Sequence, residues 1–168
     1  MKKIFIAFLI PALGFLFSAC EKDDICVEGD TPLLIIRFYD IENRTVVKPV
    51  PAARVVGVGK TTTVGTFVDR TALDSIAIPL NPELVNTQFL FISDSRDENN
   101  MEAGNIDRID FSYVIKEVFL GRACGFIATY DNLNFTLTED PDNWIKDVTV
   151  DKTLVENPIT TAHVQIFH

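Results

Sequence analysis

The chain has 168 residues, a formal net charge of −9 and a sequence pI of about 4.6. This length is typical of one domain, which can bury a hydrophobic core without several disulfides or a metal. The acidic excess argues against nucleic acid and anionic lipid headgroups as electrostatic partners, and we interpret it as charge that keeps the domain soluble. No motif in the chain calls for a cofactor, and we predict none.

The first residues have the organisation of a signal peptide. A positively charged start is followed by an almost unbroken apolar run from Ile4 to Phe17. As a helix this run would measure roughly 21 Å, which is shorter than the roughly 30 Å of a bilayer core and suits the hydrophobic region of a signal peptide. The small residues Ser18 and Ala19 are of the kind that a signal peptidase accepts. We therefore predict a signal peptide at residues 1–19.

The motif Phe17-Ser18-Ala19-Cys20 resembles the lipobox of bacterial lipoproteins, although that motif usually has Leu where this chain has Phe17. The resemblance implies that Cys20 is diacylated on its thiol, that the chain is cut before it, and that the new amine is usually acylated. Two or three acyl chains give stable anchoring, which a single chain does not. The implied partner is therefore a membrane, reached through the lipid. The alternative is an ordinary signal peptide with a chance cysteine.

A charged cluster follows this cysteine directly, and it consists of Glu21, Lys22, Asp23 and Asp24. It resembles the export signal of Bacteroidetes surface lipoproteins, which implies transport across the outer membrane, so that the domain faces the cell exterior. The alternatives are a merely solvated tether, and an outer-membrane anchor with the domain facing inward. We place the tether at residues 20–31 and a single β-rich domain at residues 32–168.

The three cysteines of the chain can be divided by compartment. If Cys20 carries lipid, Cys26 and Cys124 remain, and export places them where disulfides persist. We predict a disulfide between these two residues. In the chain-entropy model, closing a loop of about 100 residues stabilises the fold by roughly 4 to 5 kcal/mol. The alternative is one buried and one exposed free thiol.

Beyond the tether, short strand patterns alternate with turn signals. The strand patterns lie at residues 33–39, 54–59, 64–69, 75–80, 87–92, 106–120, 125–130, 133–137 and 162–167. Residues 93–104 are predicted as a charged loop, Asp131-Asn132 as a tight turn between two strands, and residues 143–150 as either a strand or one helical turn. We see no amphipathic helix. About eight or nine strands predict an all-β fold, an antiparallel sandwich or barrel.

Alternation within the longest strand pattern predicts which of its side chains face the core. Ile109, Phe111, Tyr113 and Ile115 share one parity, and polar residues occupy most of the other positions nearby. We expect this parity to be buried and the opposite one to face solvent.

The sequence offers no clear catalytic set. Its only histidines are His163 and His168, and we expect His163 to be packed or at a strand edge. Asp94, Asp97 and Glu98 are weak candidates for a calcium site, because calcium prefers oxygen ligands; solvated loop charge is the alternative. Paired carboxylates could also serve a glycan-directed hydrolase, but 24 acidic residues produce such pairs by chance. We predict that the protein is not an enzyme.

Two further features bear on glycans. Asp74-Ser75-Ile76 resembles the acceptor motif of Bacteroidetes O-glycosylation, which implies a glycan on Ser75 if this residue is exposed. Four aromatic residues are candidates either for a carbohydrate-binding face or, as is more common, for the core: Phe126, Tyr130, Phe135 and Trp144.

Taken whole, the mature chain resembles the flavobacterial lipoproteins of the family labelled DUF6452. The matching stretches are CEKDDIC, GDTPLLIIRFYD, RACGFIATYDNL, NWI and the terminal AHVQIF. The resemblance implies a small lipoprotein without an assigned activity, so it supports a location and supplies no chemistry. We predict an outer-membrane lipoprotein that faces the exterior and has a binding or envelope-structural role, with an unidentified protein or glycan partner. The alternative is a periplasm-facing accessory subunit of an outer-membrane complex.

Overall fold

The structure, a computed structural model, describes residue 26, residues 31–159 and residues 161–168. Within these ranges the chain forms eleven β-strands and no helix, so the all-β prediction is confirmed. The strands are β1 (Leu33–Tyr39), β2 (Val50–Gly57), β3 (Thr71–Leu73), β4 (Ser75–Pro79), β5 (Asn86–Ser93), β6 (Asp97–Glu98), β7 (Met101–Glu102), β8 (Asn105–Gly121), β9 (Gly125–Leu137), β10 (Asp147–Val150) and β11 (Val164–Phe167).

The strands form two main sheets and one small hairpin. One sheet has the order β10-β11-β1-β4, the other has the order β3-β2-β5-β8-β9, and β6 pairs only with β7. All pairs are antiparallel except β1 with β11, which run parallel. Neither main sheet closes on itself, and buried side chains from both belong to one hydrophobic core. This arrangement is that of a sandwich and not of a barrel.

Alternation along the strands determines which side chains fill the core. In β8, Ile109, Phe111 and Tyr113 are buried, as their shared parity predicts, and Ile115 is half-buried. The opposing sheet contributes residues of the same kind from β1, which lies in the middle of its sheet and is buried at every second position. The two apolar faces therefore meet because each strand presents one parity inward.

Two buried or half-buried polar contacts join the layers around this core. The Tyr130 hydroxyl of β9 donates to the carbonyl of Leu80, 3.1 Å away. The indole N–H of Trp144 donates to the carbonyl of Phe91 at 3.2 Å. Both of these donors thus have a partner, which offsets their loss of water on burial.

The predicted strand at residues 64–69 is wrong. These residues form bends and turns, and the strand beside β2 is instead Thr71–Leu73. Arg70, just before that strand, has a φ of 57°. This left-handed backbone belongs to the turn that leads into β3, and it separates residues 64–69 from that strand.

The predicted turn at Asp131-Asn132 is also wrong, since β9 runs through it. Asn132 has a φ of 54°, and the register against β8 shifts between Ser112 and Val114. A left-handed residue in a strand that stays paired on both sides is a β-bulge, and Asn tolerates that conformation better than most residues. Residues 143–150, left open between strand and helix, contain the strand β10.

Candidate functional site

Several predicted site residues lie outside the described residues. These are the signal peptide at residues 1–19, the lipidated Cys20, and the export cluster of Glu21, Lys22, Asp23 and Asp24. In the part of the chain that the structure does describe, no helix is both long and apolar enough to span a membrane.

The predicted disulfide is present and connects the tether to the end of the longest hairpin. Cys26 is bonded to Cys124, with 4.9 Å between their Cα atoms and a sequence separation of 98. Cys124 lies in the turn between β8 and β9, where Gly121 pairs with Gly125. Gly125 has a φ of 68°, which an L-residue adopts only with strain, so glycine is the residue best suited to close this turn.

The β8–β9 hairpin projects beyond the rest of its sheet. β5 pairs with β8 only as far as Asn86 with Ser112, whereas β8 continues to Gly121. The nine residues after Ser112 extend over roughly 30 Å. Large apolar side chains are exposed at the far end of this projection; we call them the hairpin-end patch, and they are Val118, Phe119, Leu120 and Phe126.

The charged segment at residues 93–104 forms a hairpin and not an irregular loop. β6 and β7 pair across Asn99 and Asn100, which both have a positive φ, as a tight two-residue hairpin turn requires. Asn suits these positions because it tolerates a left-handed backbone. This Asn-Asn signal is present in the sequence and could have indicated the turn.

Glu102 organises this hairpin. Its Oε1 accepts the backbone N–H groups of Arg96 and Gly104, at 3.1 and 3.0 Å, and that of Ala103. Its Oε2 accepts the Ser95 hydroxyl at 2.9 Å. Burial alone would raise the pKa of Glu102, but these hydrogen bonds and the charge of Arg70 outweigh it and hold the pKa below its usual value.

The weak calcium candidates are not brought together as a metal site. Asp97 accepts two hydrogen bonds from the Arg70 guanidinium, at 2.7 and 2.6 Å, and these bonds lower its pKa. Glu98 pairs with Arg96 at 2.7 Å, and Asp94 is exposed. Across the described ranges, no three His, Cys, Asp or Glu side chains are grouped so that they could hold a metal ion. Asp97, Glu98 and Glu102 act instead as partners of nearby arginines and amides.

Ser75 is exposed on the edge strand β4, as the glycosylation motif requires. Its hydroxyl donates to the carbonyl of Ile36 on the neighbouring strand β1, 3.2 Å away. A glycan on Ser75 would have to replace this hydrogen bond, and the modification stays a prediction.

His163 is buried and serves the β1–β11 pairing, as a packed histidine should. Its ring Nδ1 accepts the backbone N–H of Ile35 at 3.0 Å, and the backbone N–H of His163 donates to the Ile35 carbonyl at 2.8 Å. The neutral ring therefore carries its proton on Nε2, which leaves no free nitrogen lone pair for a general base. Burial, with a smaller effect from Lys152, lowers the pKa of His163 and keeps the ring neutral.

Asp107 is a buried carboxylate that the sequence did not single out. Its Oδ2 accepts the backbone N–H of Ile145 at 2.7 Å, while Oδ1 has no hydrogen-bond partner. Burial raises the pKa of Asp107, and the Ile145 N–H opposes this effect. The residue fastens the segment before β10 to β8. In the sequence, Asp107 could have been noticed as an acid at a position of β8 whose side chain is expected to face the core.

The four aromatic candidates do not form one open face. Tyr130 is fully buried and contacts Tyr113, with ring centroids 4.9 Å apart. Trp144 is half-buried and packs on His168, with centroids 5.5 Å apart. Phe126 is the exception, because 66% of its surface is exposed. Only this residue of the four is available to a partner outside the domain to that extent.

The fold and the disulfide define a small, disulfide-linked β-sandwich whose longest hairpin carries an exposed apolar end. The chain belongs to a family of unknown function, DUF6452, whose model matches residues 53–168. The matched range includes Cys124 and the β8–β9 hairpin, and it begins after the tether and β1. No curated protein and no solved structure matches the chain.

Proposed function

We propose that this protein is a lipoprotein of the bacterial outer membrane, anchored through Cys20, with a binding or structural role at the cell surface and no catalytic activity of its own. The observation that carries the proposal is how the cysteines are used. The chain has three, and the disulfide occupies Cys26 and Cys124. The third is Cys20, which stands directly after two small residues and an apolar run of signal-peptide length.

The disulfide also supports export. Disulfides persist in oxidising compartments and are rare in the reducing cytosol. A bond between residues 98 apart, at the point where the tether meets the domain, is of the structural kind found in exported domains. The proposal of a Bacteroidetes surface location rests on the cluster of Glu21, Lys22, Asp23 and Asp24.

Three titratable side chains that the sequence offered as candidates for chemistry are already engaged within the domain, and this supports a role without catalysis. His163 uses its acceptor nitrogen in the sheet, and Glu102 uses both oxygens to hold its hairpin. Asp97 is occupied by Arg70. Side chains whose acceptors are already occupied within the domain are poorly placed to exchange protons with a substrate.

The anchor is tested by the intact mass of the full chain purified from the membrane fraction, before and after reduction. We expect a mass that starts at Cys20 and includes acyl chains, with a gain of two hydrogen atoms on reduction. The matched variants are Cys20→Ala, which should leave the signal peptide uncut and the chain without lipid, and Cys124→Ala, which should keep the lipid and lose the reduction step. An unacylated mature mass would overturn the proposal.

The membrane face is tested by protease treatment of intact producing cells. We expect digestion of the wild-type protein and protection when residues 21–24 are replaced by alanine. Protection of the wild type, with digestion only after the outer membrane is opened, would reject surface exposure and favour a periplasm-facing subunit.

A further inference from the structure

We propose that the end of the β8–β9 hairpin inserts into the interface of the lipid bilayer that carries the anchor, with Phe119 and Phe126 as the inserted side chains. This inference rests on the proposed lipid anchor and adds to it a second, protein-borne contact with the membrane.

The side chains of the hairpin-end patch are exposed to solvent. Phe119 and Phe126 are cross-strand partners whose ring centroids lie 5.2 Å apart, and they are 57% and 66% exposed. Val118 and Leu120 are exposed beside them. Single exposed apolar residues are ordinary on soluble proteins, but four large ones within one hairpin end form a patch of the kind that marks an interaction site.

The apolar residues of the hairpin-end patch occupy both faces of the hairpin. Successive side chains of a strand point to opposite faces, so Phe119 lies on one face and Val118 and Leu120 lie on the other. A flat protein partner would cover one face and leave the other wet. A fluid apolar phase covers both faces at once, and this favours lipid over a folded partner.

The proposed anchor at Cys20 lies close to the hairpin end. The six residues from Cys20 to Cys26 span at most roughly 22 Å when fully extended. The disulfide then places the Cα of Cys26 4.9 Å from that of Cys124, which is two residues from Phe126. The opposite end of β8, at Asn105, is roughly 50 Å further along the strand. The lipid on Cys20 therefore holds the hairpin end, and not the opposite end, close to the membrane.

A neighbouring loop also exposes apolar side chains at the same end of the domain. Leu84 and Val85 lie between β4 and β5, and both are exposed. The Val85 carbonyl accepts the backbone N–H of Tyr113, where the projection begins, at 3.0 Å. Thr31, where the tether enters the domain, lines one depression together with Pro82 and Phe126.

The chemistry of the hairpin limits how deep it inserts. Backbone groups of an open strand edge find no hydrogen-bond partner in hydrocarbon, so such an edge stays at the level of the headgroups. β9 is an edge strand of its sheet. Arg122 is exposed in the turn, where its guanidinium can reach lipid phosphates while its stem lies along the acyl chains. Aromatic and basic side chains together are typical of this interfacial layer.

The test is photocrosslinking of the full-length acylated protein in vesicles of phosphatidylethanolamine and phosphatidylglycerol. A photoreactive benzoyl-phenylalanine replaces Phe126 in one sample and Met101 in the matched control; the latter side chain is 68% exposed at the remote β6–β7 hairpin. We expect several-fold more protein–phospholipid adduct, read by intact mass, from Phe126 than from Met101. The same replacement at Phe119 repeats the test at an independent position.

Each outcome decides the inference. Equal lipid adducts from the two hairpins, or adducts from positions 119 and 126 only with protein, would overturn it, and the latter would point to a second copy or another protein as the occupant. The mass of the same samples reports the acyl chains on Cys20. An acylated protein without lipid adducts leaves the proposed anchor standing and rejects the hairpin contact, whereas an unacylated protein rejects both.

Discussion

At the scale of single residues, Glu102 and His163 form contacts that hold the backbone of the domain together. Glu102 binds three backbone amides and one hydroxyl, and His163 completes the pairing of β1 with β11. The sequence showed these residues as an acidic cluster and a lone histidine, patterns that metal sites and catalytic sites share. A structural role is distinguished from a metal or catalytic site by the atoms that contact each side chain. These contacts involve residues that are distant in sequence. Composition alone could therefore not distinguish a structural role from a metal or catalytic site.

Replacing Glu102 with alanine should destabilise the domain by about 1–3 kcal/mol, because the amides of Arg96, Ala103 and Gly104 lose their acceptor. The lowered pKa of Glu102 means that its stabilising contribution is present above the ordinary value of 4.5 and is lost as the pH falls through the lower folded-state pKa. Denaturant titrations at a series of pH values should thus show the difference between wild type and variant shrinking in acid.

The control for this experiment is Glu98→Ala. Glu98 forms an exposed ion pair with Arg96, and such pairs contribute roughly 0–1 kcal/mol. Equal losses of stability from the two alanine variants would contradict the structural role that we assign to Glu102.

Replacing His163 with asparagine should remove acid sensitivity in a different pH range. Burial lowers the pKa of His163, so the neutral ring contributes stability above its ordinary value of 6.5, and this contribution is lost as the pH falls through the folded-state pKa. The asparagine Oδ1 can still accept the Ile35 N–H but does not titrate. We expect a smaller decline in unfolding free energy below pH 6.5 than in the wild type. A decline as steep as that of the wild type would show that His163 is not the titrating group.

At the scale of elements, the strands that follow a clear alternation were predictable and the interruptions were not. β1, β4, β5 and β8 lie where the apolar patterns place them. The missed features are the bulge at Asn132 and the small hairpin β6–β7, where one or two residues adopt a left-handed backbone. A single backbone conformation of this kind leaves the surrounding apolar pattern intact, so hydrophobic periodicity does not report it.

Replacing Gly104 with alanine should disrupt the junction between β7 and β8. A Cβ there would lie 2.6 Å from both Ile92 Cγ2 and the Ser93 carbonyl oxygen, which is too close for the backbone to remain in place. Overpacking of this kind costs about 1–3 kcal/mol, which thermal or denaturant unfolding can measure. At the matched control Gly65→Ala the added Cβ meets nothing within 4 Å, so we expect little change there. A neutral Gly104→Ala variant would mean that the β6–β7 hairpin shifts freely.

At the scale of the whole molecule, the architecture combines two sheets on one core with a cross-link at one end. The all-β class and the cysteine pairing could be predicted, since the first depends on local patterns and the second on simple counting. The strand order, with β1 beside β11 in parallel, could not, because it depends on contacts across almost the entire domain. The exposed hairpin end was equally hidden: in the sequence, Phe126 is one aromatic residue among many.

Replacing Cys124 with alanine should lower the free energy of unfolding by roughly 2–4 kcal/mol, because the bond closes a long loop in the unfolded chain. The wild-type protein in reducing buffer should unfold like the variant, and the variant should be indifferent to reductant. If reduction leaves the stability of the wild type unchanged, the bond does not contribute to the equilibrium fold, and its role would be confined to positioning the tether.

The position of the disulfide also matters for a protein that is pulled. If Cys20 carries lipid as proposed, a force on that lipid enters the chain at the tether, and without a cross-link it would act directly on the start of β1, in the middle of its sheet. The bond from Cys26 to Cys124 gives that force a second, covalent route into the β8–β9 hairpin. Such a load pulls on the turn, and with it on both strands of the hairpin, so it would be resisted in shear by the eight residue pairs between β8 and β5. At the proposed location, shear flow or an attached partner would thus load the five-stranded sheet as well as β1.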